Sequence, residues 1–514
     1  MGDTQSEADH AKHVRHADLD AYAAADATEL AQWVARSEVT ALELVELAIR
    51  AIEQVNPALN AVVHRMYERA RAVVSAGLPA GPLRGVPMVV KDFDGFVEGV
   101  PFTASSRFLD GFVPDHDSEA IARLRRAGLV FVAKTNCPEL AIMGTTEPTW
   151  RGPTHNPYDL ERSPGGSSGG SAALVAARAV PVGHGGDGGG SLRIPASHCG
   201  LVGLKPTRGR IPLGPDHGEG WGGYVQWGTL TRSVRDTAAL FDVMAGPMPG
   251  DPYAAPALAR PLSAEVGRAP GALRIGFFAG SLFGRTVHPD HVAAVQRTAA
   301  DLAALGHHVE EAKPTFDKQA LVQAFLTQIA IGIAGEIDEL AVRTGRKPRP
   351  EQFEPTTWFL NQGGHALSGV DLLQARDAAQ SAGRATAAFH ARYDLFLCPT
   401  VTHPQVKLGQ IALGAMSRGG LYALRNVSVP RRVFQRVLAQ LAPEILELTP
   451  NTQLFNQTGQ PAISLPLQWS AAGLPIGMQL SAALGREDLL IQVAAQLEAA
   501  HPWQARAQRP RISV

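Results

Sequence analysis

SPGGSSGGSAALVAARAVPVGHGGDGGGSLRIPASHCGLVG, residues 163–203, is the stretch on which the fold turns. Two serine-bearing glycine loops flank an alanine-rich helix that runs to about Ala179 and a short strand behind it. A further short helix, Leu192–Cys199, follows the second loop. Upstream, SEAIARLRRAG predicts a helix that opens at Ser118 and stops at Gly128. LVFVAK (129–134) and Val86–Val90 are apolar, β-branched runs that read as buried strands, the second ending at Lys91 and Asp92. Helix and strand alternating in this way predict an α/β fold with a substantially parallel sheet.

The rest of the chain agrees. Leu42, Leu44, Val45, Leu47, Ala48 and Ile52 form a helical stripe that Pro57 should close. A second α/β run starts near Leu273, residues 316–390 read as mainly helical, and a last helix runs from about Glu487 to Ala500. Residues 1–20 form a loose tail, and 21–510 one domain with no linker or tandem repeat. Residues 205–272, rich in Gly and Pro, look like an elaborated surface segment.

Composition removes several classes of function. The 514 residues are 45% hydrophobic and 18% charged, as suits a globular enzyme. Lys+Arg number 47 against 48 Asp+Glu, a net charge of −1, so nothing favours nucleic acid or a membrane surface. The 3 cysteines are far apart, which suits a reducing compartment and gives no zinc spacing. No metal and no cofactor is expected. The N-terminus has no basic and apolar signal segment, so the expected location is the cytoplasm. Gly2 and Ser6 fit a myristoylation pattern, and His10, His13 and His16 are spaced three apart; both read as features of a solvated tail. No apolar run reaches the roughly 18 residues of a spanning helix.

The glycine loops support three short motifs. Gly165–Gly169 fits the G-x-S-x-G nucleophile elbow, with His184-Gly185-Gly186-Asp187 resembling an oxyanion loop. In the fold that uses those elements the oxyanion loop comes first; here it comes second. Gly183-x-Gly185-x-x-Gly188 fits a dinucleotide loop, but no strand ending in an acid follows about twenty residues on. The third reading joins the loops. Glycines 188–190 present backbone N–H groups without Cβ interference, and Ser191 stands at a helix start, placed to attack a carbonyl. Taken alone, Ser191 reads more simply as a helix cap and Lys91 as a strand-end surface charge. His184 and His198 lack an Asp partner in triad order, so a buried lysine is the alternative base.

PMVVKD (87–92), AKTNCPELAIMG (133–144), GPTHNPYD (152–159), SPGGSSGGSAALVA (163–176) and GDGGGSLRIPA (186–196) together closely resemble the amidase signature family. The similarity continues through TRSVRDTAAL (231–240) to FNQTGQPAISLPL (455–467) and spans nearly all of residues 25–505. It implies a twisted mixed, largely parallel sheet with helices on both faces. It also implies an amidase with Ser191 as nucleophile, Ser167, held by a cis peptide, as relay, and Lys91 as base. The N–H groups of Gly188, Gly189, Gly190 and Ser191 would form the oxyanion hole. Ser168 would support the network, and Asp187 with Arg193 would brace the loop. PLGPDHGEGWGG (212–223) and LNAVVHRMYERA (59–70) are similar to the subgroup of 6-aminohexanoate cyclic-dimer hydrolases, implying a small linear or cyclic aliphatic amide as substrate. Aryl amides, esters and carbamates suit the same chemistry. Gly144, Thr145, Thr146, Trp221 and Asn456 are the expected substrate contacts. Trp221, Tyr224 and Trp227 read equally as cleft walls or as packing in a surface flap. A homodimer is compatible with the sequence. An amidotransferase subunit and a non-catalytic binding protein are the rival roles on the same fold.

Overall fold

The computed structural model describes residues 18–411, 415–427, 429–506 and 510–514. Gly2, Ser6, His10, His13 and His16 lie outside the described residues. Eleven strands form one sheet in the order β1-β3-β2-β4-β6-β5-β10-β11-β9-β7-β8. They are β1 (Val62–Arg65), β2 (Pro87–Lys91), β3 (Val130–Thr135), β4 (Val182–Asp187), β5 (Val202–Lys205), β6 (Gln226–Thr231), β7 (Arg274–Phe277), β8 (His308–Glu311), β9 (Leu395–Pro399), β10 (Ala462–Trp469) and β11 (Pro475–Ala482).

The α/β class holds, but the sheet is less parallel than expected. β3-β2-β4 and β9-β7-β8 are parallel trios. Between them every pairing is antiparallel, as is β1 with β3. The turn after Trp469 leaves too few residues for a crossover, so β11 folds back on β10 as a hairpin. β2 and β3 are buried along their whole length and carry unbroken apolar runs.

Segment 205–272 is more than a surface elaboration. It contains β6, buried along its length between β4 and β5, and the buried-faced helix Val234–Met244. Flanking glycine turns hide that six-residue strand from a composition-based reading. Pro57 sits inside the helix Ala41–Leu59, which stops instead at Asn60 in the left-handed region, φ 49°. Asn60 takes the stop role usually given to glycine.

Helices Ala41–Leu59, Gly169–Ala176 and Arg193–Cys199 form one packed layer, and Val234–Met244 with Glu487–Ala500 another. A third apolar cluster joins the helix Lys318–Thr344 to Phe96, Phe102 and Phe108, beyond the end of β2. This 27-residue helix is long and apolar enough to cross a membrane by length and composition, a feature that a search for uncharged runs misses. Just over half of its apolar window is buried inside the fold, as befits a core helix.

Candidate active site

β2 and β4 are parallel neighbours, so their carboxyl ends open on the same edge of the sheet. Lys91 is the last residue of β2, and Asp187, the last of β4, leads into the Gly188–Ser191 loop. Ser167 and Ser168 stand just ahead of the helix Gly169–Ala176, which packs on both strands. Ligands of open α/β sheets bind at such strand ends. β4 can come this close because it is built of glycine. A Cβ at Gly186 would fall 2.4 Å from the Asp94 carboxyl carbon.

Lys91 is 1% exposed and donates from Nζ to Ser167 Oγ at 2.8 Å. The Gly166–Ser167 peptide is cis. Lys91 Nζ also makes a short contact with the Asp94 carboxylate. Sequence reasoning missed Asp94, although its place three residues after Lys91 was visible. Ser191 is half-buried, and its carbonyl accepts from the Ser168 N–H at 3.3 Å. Ser168 Oγ donates to Gly186 O at 3.3 Å. Ser168 therefore ties the two glycine loops together rather than touching Lys91.

Asp187 and Arg193 are fully buried and form a two-point ion pair, Nε–Oδ2 and Nη2–Oδ1 both at 2.9 Å. The other guanidinium hydrogens go to Thr452 O, Gln479 Oε1 and Asn456 Oδ1, so all five donors are matched. Burial pushes the Asp187 carboxyl up, but the Arg193 charge and its hydrogen bonds, with help from Asn456, outweigh it and hold the carboxyl at about 2. Asp187 also accepts from the Gly190 N–H at 2.7 Å and the Leu192 N–H at 3.2 Å. The Gly190 N–H is thus engaged inward and is not free to face a ligand, contrary to expectation. The N–H groups of Gly188, Gly189 and Ser191 meet no protein acceptor among the described residues.

A cavity of about 410 Å³ opens at this edge, lined by Lys91, Ser167, Gly188 and Ser191 among others. Phe93, Phe96, Phe102, Trp221 and Trp227 supply an aromatic wall. Tyr224 does not line it and stacks on Phe325 instead, with ring centroids 6.2 Å apart. Gly144, Thr145, Thr146 and Asn456 are not on the cavity wall either. Thr146 Oγ1 donates to Gly165 O at 2.9 Å, and Thr145 lies against Gly166, so both back the Ser167 loop. Gly144 packs on Leu448. Asn456 donates to the backbone O of Asp187 and of Tyr224 and accepts from Arg193, bracing the nucleophile loop from behind.

The opposite wall comes from the helix Lys318–Thr344 through Gln328, Gly332, Gly335, Glu336, Glu339 and Arg343. These residues were not singled out from the sequence. Their signal was there: polar and glycine positions recurring every three or four residues in an otherwise apolar helix.

His184 and His198 are buried, and neither ring has a hydrogen-bond partner among the described residues. Burial pulls the His184 imidazole down to about 3, helped by the charges of Lys134 and Lys91. Neither histidine is placed to serve as a base. Gly183–Gly186 lie within β4 rather than in a strand-to-helix turn, which removes the dinucleotide loop. Among the described residues, no group of three or more His, Cys, Asp or Glu side chains is arranged to hold a metal ion.

Comparison with known proteins shows the family. The amidase family model matches residues 43–491. A 6-aminohexanoate-cyclic-dimer hydrolase from Pseudomonas sp. (strain NK87) is 41% identical over 496 residues, covering 95% of this chain and 96% of the relative. The structure of a 6-aminohexanoate cyclic dimer hydrolase complexed with substrate is similar with a TM-score of 0.87 at 39% identity, covering 96% of this chain and 100% of the other. A bacterial aryl acylamidase of the amidase signature family is similar with a TM-score of 0.81 at 26% identity, covering 95% and 98%.

Proposed function

The chain belongs to the amidase family and is an amide hydrolase; from that premise we propose that Ser191 is its nucleophile, Ser167 the relay and Lys91 the base, acting on linear or cyclic aliphatic amides of the 6-aminohexanoate type. The observation that carries this is the buried 2.8 Å contact from Lys91 Nζ to Ser167 Oγ, at the wall of the cavity that Ser191 also lines.

Lys91, in its neutral form, takes the Ser167 proton as Ser167 takes that of Ser191. Ser191 Oγ then attacks the amide carbon. Positive charge grows on Lys91 as this happens, and the Asp94 carboxylate is in contact to receive it. The N–H groups of Gly188, Gly189 and Ser191 are the available donors for the oxyanion, with Gly190 removed from the set. The proton returns through Ser167 to the leaving nitrogen as the C–N bond breaks. Water then releases the acid from Ser191 by the same relay in reverse. The aliphatic, cyclic-dimer substrate class is supported by the two hydrolase relatives.

Ser191→Ala is expected to abolish both turnover and labelling by a serine-directed fluorophosphonate, with thermal stability unchanged. Lys91→Ala should lower turnover by about 10²–10⁴-fold. Labelling that survives in the Ser191 variant would remove it as nucleophile. The aromatic wall of Phe93, Phe96 and Trp221 also favours a second reading, aryl amides. Relative kcat/KM for anilides and aliphatic amides separates the two.

A further inference from the structure

The cavity wall carries five carboxylates, and four of them are paired. Asp94 contacts Lys91. Asp216 meets Arg343 at 2.9 Å. Glu219 meets Arg376 at 2.9 Å. Glu339 meets Arg343 at 2.7 Å and His217 at 3.3 Å. The fifth, Glu336, lines the same cavity and makes no hydrogen bond or ion pair among the described residues. Every lysine and arginine on that wall is already taken by another acid. A carboxylate enclosed without a partner is an expensive arrangement in a folded protein.

A second side chain nearby is also unmatched. Gln328 is 3% exposed, lines the cavity, and its amide oxygen has no partner among the described residues. It lies on the same helix as Glu336, eight residues earlier, which is roughly 12 Å along the helix axis. Between them Gly332 is covered by the Trp221 ring, while Gly335 leaves the wall open, with no atom within 4 Å of a Cβ there. The result is an apolar trough with an amide acceptor toward one end and a free acid toward the other.

We propose that Glu336 is the specificity-determining residue of this cavity and binds an aliphatic ammonium group of the substrate, while Gln328 receives an amide N–H along the chain. This deepens the amide-hydrolase reading above and rests on it. An ammonium supplies charge and three donors, which is what an unpaired carboxylate lacks. Ring opening of a cyclic amide generates an amine in place, which becomes such a group by taking one further proton from solvent. The amine set free stays tethered to the acyl chain, and Glu336 would hold it clear of Ser191 while water enters. Burial in the first place raises the Glu336 carboxyl; His217 opposes the rise, and Glu339 and Asp94 add to it. An incoming cation relieves that unfavourable negative field.

The experiment compares the p-nitroanilides of 6-aminohexanoic acid and hexanoic acid, which differ only in the terminal amine. In the wild type, kcat/KM should favour the amino compound by at least about tenfold, the effect of one hydrogen bond to a charged group. In Glu336→Gln that ratio should fall to near unity, and in Glu336→Asp it should be intermediate. Fluorophosphonate labelling of Ser191 in both variants checks that the site is intact. A wild-type ratio of one, or a Glu336→Gln ratio equal to the wild type's with labelling preserved, overturns the role of Glu336 alone. A wild type that cleaves neither anilide and is not labelled at Ser191 overturns the nucleophile reading, and this proposal with it.

Discussion

At the residue scale, the Asp187 carboxylate accepts five hydrogen bonds. Its two oxygens accept from Gly190, Leu192, Arg193 and Asn456, and they connect the nucleophile loop to the C-terminal segment. Asp187→Asn puts an amide where these donors converge and leaves the Arg193 charge buried without a counter-charge. The expected loss is about 3–5 kcal/mol of unfolding free energy, read by urea denaturation, with a fall in kcat as the Ser191 loop loosens. Replacing both partners, as in Asp187→Ala with Arg193→Met, should destabilise by less than the sum of the single changes. Additive losses would mean that the pair does not act as a unit. At this scale, motif membership named Lys91, Ser167 and Ser191, and the structure brings all three to one sheet edge. It could not say which way a side chain points. Asn456 and Thr146 belong to the right motifs but face the back of the loops. Glu336 belongs to no motif, and its importance depends on the absence of a partner, which is a three-dimensional fact.

At the scale of elements, the sequence showed strands wherever β-branched residues were dense. β2, β3 and the helix Glu487–Ala500 lie where periodicity put them. β4 was harder to see because its glycines serve close approach by Asp94 and the helix Gly169–Ala176 and so mimic a loop. The helix Lys318–Thr344 shows the same logic. A Cβ at Gly332 would stand 2.4 Å from Trp221 Cδ1, and one at Gly188 would stand 2.9 Å from Cζ3 of the same ring. Two glycines, one on the helix and one in the nucleophile loop, therefore hold Trp221 between them. Its own backbone is left-handed, φ 49°, a strained setting for so large a side chain. Gly→Ala inside a helix normally stabilises by about 0.5–1 kcal/mol. Gly335→Ala, with open space around it, should raise Tm accordingly. Gly332→Ala should not, because the indole must move. It is expected to lower kcat/KM by at least about tenfold through displacement of that cavity wall. Equal Tm gains in the two variants, with activity kept, would show that Trp221 is free to shift.

At the scale of the whole molecule, the docking of the helical region 316–390 is not legible in the sequence. Its hydrogen bonds to the segments that follow β2 and β3 join residues 205 to 246 positions apart, and local patterning does not encode such pairings. Glu139 is one of the joints. It is 3% exposed, sits in the 133–144 motif, and accepts from the Glu354 N–H at 2.7 Å. Burial, and next the nearby Glu354 carboxylate, push its carboxyl up to about 8. The folded value thus lies above the ordinary glutamate value of 4.5. The favourable effect of the neutral acid is fully present below that ordinary value and is lost as pH rises through about 8. Between those limits the unfolded chain releases the proton and the folded chain keeps it, so the wild type is progressively destabilised. Glu139→Gln cannot ionise and escapes this loss. Denaturation curves for both proteins from pH 5 to 9 should show the variant gaining on the wild type by up to about 4 kcal/mol, at 1.36 kcal/mol per pKa unit. The gain should come with little change in kcat, since Glu139 is not on the cavity wall. Parallel stability curves across that range would show that Glu139 ionises freely, and that the helical region is held in place without a neutral acid at this joint.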